Sequence, residues 1–104
     1  MKFIYNDNQD ETHAGDLIVF LNQEEVQYYV EEYDADDPWI HIYDERGQRY
    51  RVEGQSVIPV KGSYFDVALM RALLRDFVKR VMEEDPSDSV DGLLDQIAHY
   101  QRST

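Results

Sequence analysis

From Ser63 to Glu84 the apolar positions recur at helical intervals. Val67, Met70, Leu74, Phe77, Val78 and Val81 share one face, and Phe65, Leu69 and Leu73 form a shorter stripe behind it. No Gly or Pro interrupts the stretch, and most of its residues favour helix. Ser63 followed by Asp66 has the spacing of a capping box. The pattern predicts a helix over 63–84, about 30 Å long at ~1.5 Å per residue. Pro86 ends it. Asp88 or Ser89 then caps a short second helix with Val90, Leu93, Leu94 and Ile97 on its apolar face.

Upstream of Gly62 the period shortens to two. Lys2–Tyr5 places Phe3 and Tyr5 on one side, and Leu17–Leu21 is an apolar, β-branched run that reads as a buried strand. Trp39–Tyr43 alternates, with Trp39, His41 and Tyr43 on one side and Ile40 and Ile42 on the other. Gln48–Glu53 sets Tyr50 and Val52 against Arg49 and Arg51, and Ser56–Val60 is a last strand that Pro59 places at an edge. Turns fall at Asn6–Gly15, Asp34–Pro38, Asp44–Gly47 and Gly54–Gln55. Residues 23–33 support two readings. Asn22 and Glu25 have capping-box spacing, with Val26, Tyr29, Val30 and Tyr33 on one helix face. The Val- and Tyr-rich run VQYYVEEY, with its alternating Val26, Tyr28 and Val30, favours strand, and strand is the preferred reading.

These elements make one domain over 1–104, with a sheet region at about 2–60 and a helical region at about 63–101. The expected class is α+β: a small antiparallel meander of about five strands packed against a long C-terminal helix and a short terminal one. Gly15-Asp16 opening a strand, then VQYYVEEY, WIHIYDERGQ, RYRV and SVIPV, resembles the strand and turn order of SH3-like small barrels of the Tudor type over residues 15–60. That resemblance implies a sheet curled toward a barrel, and a binding module whose rim aromatics receive a cationic side chain. Tyr28, Tyr33, Trp39 and Tyr43, beside the acids of 34–37, are the aromatics available to it.

Charge changes the picture most. The chain carries a net −12, laid out unevenly. Residues 1–45 hold thirteen acids against Lys2, residues 46–82 hold eight bases against three acids, and residues 83–104 hold six acids against Arg102. Such a balance argues against direct binding to nucleic acid, which rests on neutralising phosphates, and against anionic membrane surfaces. A basic protein partner is the complementary expectation. The chain has no cysteine, its start (MKFIYNDNQDE) lacks the apolar run of a signal peptide, and its longest apolar run, Leu17–Leu21, is far short of the ~20 residues of a membrane span. A cytoplasmic protein is expected.

Catalytic patterns are lacking. His13, His41 and His99 show no metal-type spacing, and there is no nucleophile elbow or phosphate-binding loop. Asp7, Asp10, Glu11 and His13 cluster in one loop, but a calcium loop needs Gly at its sixth position, where this stretch has Thr12. No cofactor or metal is predicted, and the chain is read as a non-enzyme.

The expected function is a protein-interaction module that docks a basic partner, with inhibitor, immunity or nucleic-acid-mimic roles as its sharpest forms. The candidate surface is Glu24, Glu25, Tyr28, Glu31, Glu32, Tyr33, Asp34, Asp36, Asp37, Trp39 and Tyr43. Two plainer readings stand beside it: the aromatics pack under the long helix, and Arg46, Arg49, Arg51, Arg71, Arg75 and Lys79 offset the acids within the fold. The alternative function is an assembly subunit whose long helix supplies the interface, for instance a homodimer through Phe65, Leu69 and Leu73. Docking of the last helix over that stripe is the simpler way to cover it.

Overall fold

The computed structural model of the chain describes residues 1–6, 17–33, 42–53 and 56–103, with the backbone alone at 30–33. Its elements are β1 (Phe3–Asn6), β2 (Leu17–Phe20), α1 (Gln23–Tyr33), β3 (Ile42–Asp44), β4 (Gln48–Glu53), β5 (Ser56–Tyr64), α2 (Val67–Arg80) and α3 (Val90–Arg102). The class is α+β, with one five-stranded antiparallel sheet in the order β2-β1-β3-β4-β5. Among the described residues the sheet is open and no barrel closes. β1 pairs antiparallel with both β2 and β3, so β2 and β3 run parallel to each other with β1 between them. The chain crosses from one to the other through the segment that contains α1. β3, β4 and β5 complete the sheet as a meander.

Period-two alternation gives the sheet two covered faces. Phe3, Tyr5, Ile18, Phe20, Ile42, Tyr50, Val52 and Val57 join Val26 and Tyr29 of α1 in one apolar cluster. Ile4, Leu17, Val19 and Tyr43 alternate with them and pack on the other face among α2 and α3. The register agrees at every pairing: Phe3 lies opposite Phe20 and Ile4 opposite Val19, while Ile42 lies opposite Tyr50. A slip of one residue would send each set to the wrong layer.

Residues 23–33, expected as strand, are helix. Asn22 Oδ1 accepts the Glu25 backbone N–H at 3.0 Å, and the Glu25 carboxylate accepts the Leu21 N–H at 2.9 Å. One orphan donor of the helix start and the N–H just before its cap are thereby satisfied. Val26, fully buried, and Tyr29 then share the face that covers the sheet. The local caps, buried Val26 and partly buried Tyr29 at i, i+3 outweigh the strand preference of Val and Tyr.

The helix expected from Ser63 starts later. Ser63 and Tyr64 belong to β5, which runs past Val60 because a register shift between Gln48 and Tyr50 absorbs extra residues. Gly62 supplies the positive φ (76°) this irregularity needs. The Gln48 side-chain amide lies within hydrogen-bond reach of the Val60, Ser63 and Arg49 carbonyls. Asp66 is itself the N-cap of α2, accepting from the Ala68 and Leu69 N–H groups. At the other end Glu83 takes a left-handed φ of 56°, and the Glu84 N–H reaches back to the Val78 carbonyl.

Of the expected core face of α2, Met70, Leu74, Phe77 and Val78 are buried, but Val67 and Val81 are exposed. The stripe behind it is not a free surface: Phe65 and Leu73 are buried in the main core and Leu69 packs against it. α3, capped by Ser89, contributes Leu93, Leu94, Ile97 and Ala98 to that same core. Two of the three side chains expected at a homodimer contact, Phe65 and Leu73, are thus packed within the chain.

Candidate functional site

An open groove of about 640 Å³ runs where β2, the first half of α1 and the last turn of α3 meet. Ile18 and Phe20 of β2 and Tyr29 of α1 give it apolar lining, Asn22, Glu24, Glu25 and Tyr28 line it from α1 and the residues just before it, and Gln101 and Arg102 line it from the end of α3. Tyr28 is 70 % exposed, and Glu24 beside it is exposed too. α1 carries four acids and no base. A cation of the chain itself lies there: Arg102 Nη2 sits 2.6 Å from Glu25 Oε2.

The groove follows a sheet edge. Among the described residues β2 and β5 are the outermost strands. β5 is guarded by Pro59, Lys61 and the irregularity around Gly62, features that discourage strand addition. β2 is guarded differently. The Val19 N–H donates to Gln101 Oε1 at 3.0 Å, Gln101 Nε2 donates to the Leu17 carbonyl, and Arg102 Nη2 reaches the Val19 carbonyl at 3.4 Å. Backbone groups of alternate residues in an antiparallel strand point to opposite sides. Those of Ile18 and Phe20 therefore serve β1, and those of Leu17 and Val19 are the ones the end of α3 covers.

The sequence-predicted residues scatter. Glu24, Glu25 and Tyr28 come together at the groove, and Glu31, Glu32 and Tyr33 lie in the last turns of the same helix. Asp34, Asp36, Asp37 and Trp39 lie outside the described residues, as do the loop acids Asp7, Asp10 and Glu11 and the histidines His13 and His41. Tyr43 is corrected: it is 2 % exposed and stacks on Phe65 with ring centroids 4.5 Å apart, so it is core. The trailing position of an alternating strand is as consistent with core as with rim, and the sheet's second covered face decides. Gln101 and Arg102 were missed, since nothing local distinguishes them from any polar pair ending an amphipathic helix.

Arg102 reaches α1, and several other bases have partners outside it. Arg75 binds the Ser87 carbonyl at 3.0 Å and Asp88 at 2.8 Å, Arg80 pairs with Asp76, Arg51 with Glu53, and Arg49 lies over the Phe65 ring at 5.2 Å.

A second polar cluster holds the β3–β4 turn. Asp44, 2 % exposed, accepts the Arg46 and Gln48 N–H groups on Oδ1 at 2.8 and 3.1 Å and the Tyr50 hydroxyl on Oδ2 at 2.8 Å. Burial, and then the bond to Asp44, push the Tyr50 hydroxyl up to about 12. All three of these donors come from the turn and the strand that follows it, so the carboxylate braces the turn. Among the described residues no group of three or more His, Asp or Glu is placed to hold a metal ion, and no helix is long and apolar enough to cross a membrane. Compared with protein-family models, curated proteins and solved structures, the chain matches none.

Proposed function

We propose that this chain is a non-enzymatic interaction module that docks a basic protein through the acidic, tyrosine-bearing groove between α1 and the β2 edge. The observation that carries the reading is that Arg102, a cation of the chain itself, already lies on Glu25 there, beside Glu24 and an exposed Tyr28. A second cation, brought by a partner, meets a free carboxylate and the face of a phenol ring, both of which attract it. Tyr is among the residues that most often anchor protein interfaces. An inhibitor, immunity or nucleic-acid-mimic protein is the strictest form of the reading, with the net −12 steering the encounter.

The test is capture from the source lysate on immobilised wild-type chain and on a Glu24→Lys/Tyr28→Ala double variant. A basic protein should be held by the wild type at about 50 mM salt, released by about 300 mM, and lost from the double variant. Equal retention by both baits, or retention indifferent to salt, would refute the reading.

A further inference from the structure

Gln101 is bonded to β2 as a neighbouring strand would be. Its amide accepts from Val19 and donates to Leu17, the two bonds an added parallel strand makes across the intervening Ile18. Arg102, next in sequence, lays a guanidinium on Glu25 and on the Val19 carbonyl. The last turn of α3 thus carries two things together: a stand-in for a strand backbone and a stand-in for a basic side chain.

We infer that the docking groove takes an extended basic segment that adds to the outer edge of β2, and that Gln101 and Arg102 are an intramolecular clip which this segment displaces. The inference rests on the reading above and specifies its mode. Three features fit. Side chains of an added strand alternate between faces, so every second one falls on the α1 side, where Glu24, Glu25 and Tyr28 line the groove. The next ones fall on the side of α3. Displacing the clip is cheap, because Ile97 and Ala98 of α3 are buried but Arg102 is exposed and Gln101 only half-buried, and terminal helical turns fray readily. β5, the other edge among the described residues, has Pro59 and an irregular register and offers no comparable row.

The probe is a fluorescent eight-residue peptide alternating valine and arginine, with two analogues N-methylated at the odd or at the even positions. These keep the charge but lose edge donors on one side or the other. In anisotropy titrations the unmethylated peptide should bind the wild-type chain, and Gln101→Ala should tighten it about five- to tenfold by removing the competing bonds. One of the two methylated registers should bind at least about tenfold more weakly than the other. Arg102→Ala, which leaves both Gln101 bonds in place, should also tighten binding by freeing Glu25. The Val19 amide should exchange faster with solvent in free Gln101→Ala than in wild type, and slow again with peptide, which separates edge pairing from any loss of fold.

If the three peptides bind alike and Gln101→Ala changes nothing, strand addition is wrong while charge docking stands. If no peptide binds either protein, the inference is wrong, and the lysate capture with the Glu24→Lys/Tyr28→Ala bait judges the docking reading independently.

Discussion

Removing the Asp44 carboxylate should cost far more than an ordinary turn substitution. Its three donors, two backbone N–H groups and the Tyr50 hydroxyl, lie 2.8–3.1 Å from it. Each hydrogen bond to a charged group is worth about 1.5–3 kcal/mol, so three of them set a ceiling of about 5–9 kcal/mol. The actual loss in Asp44→Ala should be smaller, about 3–4 kcal/mol, because water reaches a partly buried turn and bonds to one group are not independent. That is still a large share of the about 5–15 kcal/mol that holds a domain folded. Asp44→Asn keeps an oxygen for the two backbone donors and turns its amide toward Tyr50, and should lose about 1–2 kcal/mol.

The measurement is urea unfolding followed by far-UV circular dichroism. The midpoint should fall without a change in slope, the sign of lost stability rather than an altered denatured state. A double-mutant cycle with Tyr50→Phe should return a coupling of about 1 kcal/mol. A loss below about 1 kcal/mol in Asp44→Ala, or no coupling, would show that the turn is held by its backbone alone.

The remaining expectations are narrower. The Tyr50 hydroxyl titrates near 10 when unfolded and is pushed up to about 12 in the fold. Between those values the unfolded chain releases a proton the folded chain keeps, so this contribution is whole below about pH 10 and is lost as pH rises toward 12. The stability advantage of wild type over Tyr50→Phe should therefore shrink between about pH 10 and about pH 12, and a constant difference would refute the assignment. Backbone sign should order three further variants by thermal melting. Gly47→Ala, at φ 88° with its new Cβ driven into the Phe65 carbonyl, should lose more than about 2 kcal/mol. Gly62→Ala, at φ 76° in open space, should lose only about 1 kcal/mol. Glu83→Gly, at φ 56°, should gain up to about 1 kcal/mol.

What the sequence determined by itself was local. The apolar stripes of α2 and α3, a cap at Asp88 or Ser89, the turn at Asp44–Gly47 and the edge position implied by Pro59 all follow from spacings of a few residues, which torsional preference and helix or strand period dictate directly. The helix at 23–33 was half legible: its cap, Asn22 with Glu25, was visible, but strand preference opposed it until the sheet offered a face for Val26 and Tyr29. Of the candidate site, Glu24, Glu25 and Tyr28 were readable as acidic and aromatic surface, and Tyr43 was misplaced because alternation shows that two faces exist but not what covers each.

Tertiary structure alone decided the rest. Among the described residues it set β1 inside the sheet and β2 at its edge, buried Phe65 and Leu73 in the core, and brought Gln101 to Val19 across 82 positions of sequence. Strand order and edge capping are contacts between distant segments, selected by which arrangement buries both faces of the sheet and satisfies its outer backbone groups. No short-range pattern in the chain encodes that choice.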